Sequence, residues 1–313
     1  MKNQTALNAA RHRKKMSLND LAFTVIIFAV LAVTVVIALY PLLFVLSASV
    51  SDPKEVAAGN LILLPKGFTL EGYEYILQYD DIFSGYANTI LYTVGGTVLN
   101  LLVTLPCAYA LSRKDLPGRG PLMKIFIVTM YFSGGLIPMY LNVRDFGLLN
   151  TRLYMMLGGL VSVYNLIVSR TFFAGISWEL HEAAMIDGCS DFGIFRKLVL
   201  PLSKPIIVVM ALYYGVGHWN EYFNAMIYLS DREKYPLQLI LREILIQSKL
   251  MTTILEGNNV VDAGAMQAML EQADVMNLIK YGVIVVSTVP MLIVFPFLQK
   301  YFEKGVMIGS VKG

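Results

Sequence analysis

The chain has 313 residues, of which 56% are hydrophobic and only 15% charged, with a formal net charge of +3 and a mean hydropathy of +0.60. Soluble domains carry about a quarter of their residues as charged side chains, so this composition excludes an ordinary soluble enzyme, and no nucleic-acid partner is expected. The two cysteines, Cys107 and Cys189, supply no disulfide framework.

A bilayer span needs about 20 mostly apolar residues, and six segments qualify, which predicts an all-α membrane protein with six transmembrane helices. Residues 1–20 are polar and basic and read as a cytoplasmic N-terminal segment. The first span, Leu21 to Val50, is an apolar run of about 28 residues, far beyond the 7–15 of a signal-peptide core, so it reads as a retained helix. With the outside loop Ser51 to Gly85 it forms a unit over 21–85. That loop holds Tyr73, Tyr75 and Tyr79, a residue type favoured at the headgroup level. The second span (86–111) carries Gly95-Gly96, the third covers 122–143, and the fourth (153–173) carries Gly158-Gly159. Small residues of this kind let membrane helices approach closely. The fifth span runs over 206–229 and the sixth over 278–298. Between them lies a long loop, Ser230 to Asn277. In it Leu237, Leu241, Ile244 and Leu245 recur at helical spacing, and a second helical stretch is expected over Ala265 to Ala273. This loop either covers a membrane surface or docks an outside partner.

Charge sets the orientation. Six spans put both termini on one side, with Arg11, Arg13, Lys14 and Lys15, the short loop of Arg113, Lys114 and Arg119, then Arg196, Lys197 and Lys204, and finally Lys300, Lys304 and Lys312. The other side collects Asp52, Glu55, Glu71, Glu74, Asp80 and Asp81, then Glu256, Asp262, Glu271 and Asp274. The basic side is the cytoplasmic one. Both cysteines fall at or near it, where thiols stay reduced.

One cytoplasmic stretch stands apart from the spans. Trp178 to Asp187 reads as a short helix kept small on one side by Ala183 and Ala184; Gly188 can stop it in the left-handed conformation. Ser190 or Asp191 can cap the next helix, which sets Phe192, Phe195, Leu198 and Val199 on a stripe, ends at Pro201, and gives way to the next span at Pro205. The product is a compact elbow, which could rest on the inner leaflet or sit in a partner's cleft.

The order of residues in that elbow resembles the EAA motif of permease subunits in binding-protein-dependent ABC importers: EAA, three residues, Gly, nine residues, then I-x-L-P. Here Glu182-Ala183-Ala184, Asp187-Gly188 and Leu200-Pro201 match, with Leu198 in the place of the isoleucine and Ile194 displaced from it. The tail, with Gly305 and then Gly309-Ser310-Val311-Lys312-Gly313, resembles the end of the second permease subunit of maltose-type sugar importers. The resemblance covers roughly 86–313. It implies a type I ABC importer permease fold, with the core over 86–302, a coupling helix in the elbow 178–201, and a cytoplasmic tail over 303–313. In that family the elbow (Glu182, Ala183, Ala184, Asp187, Gly188, Phe195, Leu198, Leu200 and Pro201) inserts into an ATPase subunit, and the tail (Gly305, Gly309, Lys312 and Gly313) reaches toward the ATPase dimer. The implied partners are a second, homologous permease, an ABC ATPase dimer, an extracytoplasmic solute-binding protein, membrane lipid and a carbohydrate, in the cytoplasmic membrane of a prokaryote.

Absences agree with a transport subunit. The sequence has no phosphate-cradling G-x-x-x-x-G-K-[ST], no cluster with metal-ligand spacing and no paired nucleophile. No catalytic residue, metal or cofactor is expected in the chain; ATP and Mg would belong to partner subunits. Within the spans, Glu221 is the one acid placed well inside hydrocarbon, where a charge costs at least about 2.5–3.5 kcal/mol and should face protein or water. Its neighbours Trp219, Asn220 and Asn224 are candidate pathway residues: an apolar ring for a sugar, and two amides four apart on one helix face. Alternatively Glu221 pairs with a neighbouring helix and Trp219 anchors at the interface. The W-N-E-Y element resembles the fifth helix of sugar-importer permeases. Asn88 and Tyr131 are further candidates, with Tyr92 and Asn100, although such residues also serve interhelical hydrogen bonds. The rival readings are an ABC permease for a non-sugar solute, an ion-gradient transporter, which should show more buried acids or repeated halves, and a membrane scaffold.

Overall fold

The computed structural model describes residues 18–257 and 279–297, with the isolated positions 267, 273, 276 and 299. Every regular element among them is helical. The chain divides into two units, 1–69 and 70–313.

In the first unit, α1 (Leu18–Ser49) is apolar on all sides and exposed along nearly its whole length. Thr24 and Thr34 donate their hydroxyls to the carbonyls of Asp20 and Val30, four residues back, so even its polar side chains are satisfied within the helix, as lipid requires. Its end is fixed locally. Ser47 Oγ donates to Leu63 O at 2.5 Å, and Asp52 caps the short α2 (Pro53–Ala57) by accepting from Lys54 N at 2.9 Å.

The second unit begins with α3 (Glu71–Leu77) and is organised around α4 (Asp80–Ser112). The elements that follow are α5 (Arg119–Tyr131), α6 (Leu136–Asp145), α7 (Arg152–Leu157), α8 (Val163–Ala174), α9 (Trp178–Ile186) and α10 (Asp191–Leu202), of which Phe195–Val199 is a π turn. Then come α11 (Lys204–Trp219), α12 (Phe223–Tyr228), a 3₁₀ turn at Arg232–Lys234, α13 (Leu237–Gly257) and α14 (Ile279–Phe297). The helix α4 packs on α7, α8, α11 and α13. Its last third contributes Leu105, Ala108 and Tyr109 to a core shared with Leu166 and Phe173 of α8, Phe195 and Val199 of α10, and Met210 of α11. Its beginning, at Ile82, joins Leu237, Ile240 and Ile244 of α13 and Ile279 and Val283 of α14. The helical spacing of Leu237, Leu241 and Ile244 is thus that of a buried stripe. The stretch 265–273 lies almost wholly outside the described residues.

The six uninterrupted spans expected from composition are not what the helices form. Among the described residues three helices, α1, α4 and α14, are each long and apolar enough to cross a bilayer. Two more candidates are bent pairs: α5 and α6 meet at 113°, and α10 and α11 at 83°. The segment 153–173 is broken into α7 and α8. Two of these breaks, between α5 and α6 and between α7 and α8, have a local cause. At 132–135 the chain turns through Ser133-Gly134-Gly135 with Gly135 at φ +85°, and at 158–162 through Gly158-Gly159 with Gly159 at φ +71°. Such angles suit glycine and end a helix. Hydropathy averages over these breaks, because glycine and serine barely lower it.

Candidate functional site

The break between α7 and α8 borders a cavity of about 680 Å³, walled by Tyr154 and Gly158-Gly159 at the end of α7, Ser162 and Asn165 at the start of α8, Tyr213, Tyr214 and His218 of α11, and Glu221 and Asn224 beyond it. Irregular backbone in an apolar environment must find partners for its carbonyl and amide groups, each costing several kcal/mol if left bare. Asn100 of α4, fully buried, donates its amide to Gly159 O at 3.1 Å and to Leu160 O at 2.8 Å. The Tyr214 hydroxyl accepts from Ser162 N at 3.2 Å and shares a 2.8 Å hydrogen bond with Thr104. Side chains from two neighbouring helices therefore replace the hydrogen bonds that the broken helix lacks.

The same asparagine sets a histidine. With Nδ2 spent on two carbonyls, Asn100 Oδ1 is an acceptor, and it lies 2.7 Å from His218 Nε2; His218 therefore carries its proton on Nε2. The ring rests directly on Gly96, where a Cβ would overlap it. The second ring nitrogen, Nδ1, has no hydrogen bond among the described residues and leaves His218 able to accept from a hydroxyl in the cavity.

Glu221 lies where α11 gives way to α12. Its Oε1 accepts from Asn224 N and its Oε2 from Asn224 Nδ2, both at 2.9 Å. One oxygen thus satisfies a backbone N–H in the first turn of α12, a favourable place for a negative charge, and the other holds the Asn224 side chain. Because α11 ends at Trp219 and α12 starts at Phe223, Asn220 and Asn224 do not share a helix face as their spacing suggested. Asn220 bonds back to Val216 O at 2.9 Å and lines a separate cleft with Trp219. Trp219 is a buried packing residue: its Nε1–H donates to Ser287 O at 3.1 Å and its ring meets Tyr86 edge-on. Asn88 is also structural, donating to Glu233 O at 2.7 Å and Tyr235 O at 3.1 Å. Tyr131, at the end of α5, is exposed. Of the pathway candidates, the cavity gathers Glu221 and Asn224. It adds Asn100 behind them, and His218 and four tyrosines that sequence spacing did not single out.

At the other ends of α8 and α11 stands the elbow, roughly 15–20 Å along those helices from the cavity at 1.5 Å per residue. Gly188 stops α9 at φ +78°, and Ser190 caps α10 by accepting from Gly193 N at 3.2 Å. Ile194, Phe195 and Val199 are buried, Leu198 and Leu200 partly so, and Ala184 packs against the same core. Phe192, expected on this stripe, is exposed instead, and Ile194 takes its place. Pro201 does not end the helix, which continues to Leu202. Lacking an N–H, Pro201 cannot bond to Lys197 O, and the preceding turn widens to a π turn in which Leu200 N bonds to Phe195 O. Glu182, Ala183 and Asp187 are exposed, and Glu182 Oε1 accepts from Trp178 Nε1 at 2.9 Å. Leu180, Met185 and Phe192 stand out from the surface, and Ile186 is 85% exposed. The tail residues Gly305, Gly309, Lys312 and Gly313 lie outside the described residues. Among the described residues no three His, Cys, Asp or Glu side chains converge as a metal site.

Apolar helices broken around a tyrosine-walled cavity define the class: a helical membrane protein. Comparison with known proteins places it further. No family model matches the chain. It is 41% identical over 291 residues (93% of the chain, 98% of the relative) to the polygalacturonan/rhamnogalacturonan transport system permease protein YtcP of Bacillus subtilis. It is 28% identical over 284 residues (88% and 92%) to the arabinooligosaccharides transport system permease protein AraQ of Halalkalibacterium halodurans. Among solved structures it superposes, at 35% identity and a TM-score of 0.80 over 91% of this chain and 98% of the other, on a chain of a bacterial ABC transporter involved in the import of the acidic polysaccharide alginate. The chain belongs to the permease subunits of ABC transport systems, and as such is not itself the ATPase.

Proposed function

We propose that this chain is one transmembrane half of an importer for oligo- or polysaccharide, driven by separate ATPase subunits that grip the 178–201 elbow. The observation that carries the reading is the pairing of two features on the same two helices. At one end of α8 and α11 is a cavity walled by tyrosines, a histidine and amides, groups suited to a hydroxyl-rich solute; at the other is an elbow that turns Ile186, Met185 and Phe192 outward. An exposed apolar patch of this kind calls for a partner. The substrate class named for the relatives supports carbohydrate. A second, homologous permease supplies the other wall of the pathway, a solute-binding protein delivers the sugar, and ATP and Mg bind on the ATPase dimer. The chain sits in the cytoplasmic membrane of a prokaryote with both termini in the cytosol, divided as 1–20, 21–85, 86–302 and 303–313.

Closure of the ATPases moves the elbow, the attached helices tilt, and the cavity changes the side to which it opens. The test is uptake of labelled oligosaccharide by proteoliposomes holding the whole complex with its binding protein. Gly188→Pro cannot adopt the positive φ, and Glu182→Lys reverses a charge on the exposed face. Both should assemble yet abolish uptake and the stimulation of ATPase activity by the loaded binding protein. Normal uptake in both would overturn the reading.

A further inference from the structure

The elbow is joined in sequence to α8 and α11, and a cluster of side-chain contacts also ties it to the end of α4. Arg113, the first residue after α4, holds Asp115 with Nε at 2.8 Å and Nη2 at 2.5 Å, a two-pronged pair. Its Nη1 reaches Asp191 Oδ1 on α10 at 3.0 Å and the Tyr109 hydroxyl at 3.1 Å. The guanidinium carbon lies 5.3 Å from the centre of the Trp178 ring on α9, within cation–π range. One arginine therefore touches both limbs of the elbow at once, with its side chain only 11% exposed. One turn earlier, Tyr109 stacks on Phe195 of α10 at 5.1 Å and on His181 of α9 at 6.0 Å, and His181 in turn stacks on Trp178 at 5.4 Å. The hydrogen bond from Arg113 holds the Asp115 carboxyl below its ordinary range, and the same bond raises Arg113.

From this foot α4 runs 33 residues, about 50 Å at helical rise. Midway, Asn100 holds the Gly159–Leu160 break and His218. Near its other end, Asn88 and Tyr92 bind the carbonyls of Glu233, Tyr235 and Lys234, and Thr89 Oγ1 accepts from Leu237 N. Thus α4 meets the elbow, the cavity wall and the 233–237 strap in turn.

We infer that Arg113 is a positioning residue for transport: it clamps both limbs of the elbow to the foot of α4, so that α4 carries movement of the elbow to the cavity. The inference rests on the elbow being the point of ATPase contact. Arg113 bears on transport by fixing a geometry and touches no substrate.

The test uses the complete transporter in proteoliposomes and reads two rates, oligosaccharide taken up and ATP hydrolysed in response to loaded binding protein. Arg113→Ala leaves Asp115 and Asp191 half-exposed and exposed, free to be solvated, so the helices should still assemble. The expected result is a fall of at least fivefold in sugar moved per ATP. Arg113→Lys keeps the charge but loses the fork and the planar stack and should recover part of the ratio. Asp191→Asn, at an exposed position, should lower the ratio about twofold. Equal losses in both rates would show an ordinary structural role, and an unchanged ratio in Arg113→Ala and Asp191→Asn would overturn the inference. Glu182→Lys separates the two ideas. If it leaves coupling intact, the elbow reading itself has failed; if it uncouples while the Arg113 variants do not, only the clamp is wrong.

Discussion

The middle of α4 and its foot are both tied to neighbouring elements, by opposite means. In the middle, the buried Asn100, Thr104 and Tyr214 make neutral hydrogen bonds, and losing a partner there strands a buried polar group at about 1–3 kcal/mol. At the foot, Arg113 is held between carboxylates that reach solvent, and such pairs contribute only about 0–1 kcal/mol to stability. The difference separates two tasks. The middle fixes the shape of a backbone that would otherwise be intolerable among apolar helices; the foot can yield without unfolding the protein, as a moving joint must.

The sharpest way to break this contrast is Gly96→Val. A side chain there overlaps the His218 ring, displacing it from Asn100, and should cost about 3–5 kcal/mol from overpacking and the lost hydrogen bond together; a thermal melt of the purified protein in detergent would register it as a large drop or as failure to assemble. Asn100→Leu strips the partners from Gly159 O and Leu160 O and should destabilise by about 2–4 kcal/mol, whereas a comparable substitution at Arg113 should barely move the melt. Gly188→Ala forces a Cβ into the left-handed region for about 1–2 kcal/mol, with most of its effect on transport rather than on melting. Ser190→Ala removes a cap and should cost about 1 kcal/mol, readable as faster hydrogen exchange at Gly193. The smallest effect concerns pH. Because Arg113 depresses the Asp115 carboxyl, that contact is complete above the ordinary carboxylate pKa of about 3.9 and weakens only as pH falls through the depressed value. Coupling efficiency should therefore show no titration from this pair between pH 5 and 8, and a step in that window traced to Asp115 by Asp115→Asn would speak against it.

What could be read from the sequence follows how local each feature is. The elbow was legible because its signals lie within a few residues of one another: Ala184 and Gly188, then Ser190 and Gly193, then the Phe195–Val199 stripe. It differs from the sequence reading at Phe192, which is exposed, and at Pro201, which the helix accommodates by widening into a π turn before ending at Leu202. The cavity was not legible. Asn100 and His218 meet across 118 positions, and nothing in either neighbourhood names the other. Glu221 is visible as an acid in an apolar run, but its partner is Asn224, three residues on, while Trp219 and Asn220 are held elsewhere by Ser287 O and Val216 O. By sequence the glycine pairs read as packing sites. Gly158-Gly159 instead break their helix, whereas Gly96 seats the His218 ring.

The central claim is that the exposed face of the elbow is covered by an ATPase when the transporter is whole. A photo-crosslinking amino acid placed at Ile186, the most exposed apolar side chain of α9, tests it in the intact complex. Illumination should yield an adduct between this chain and the ATPase subunit, lost when the ATPase is stripped away. Adducts to lipid alone, with the ATPase present and active, would contradict it.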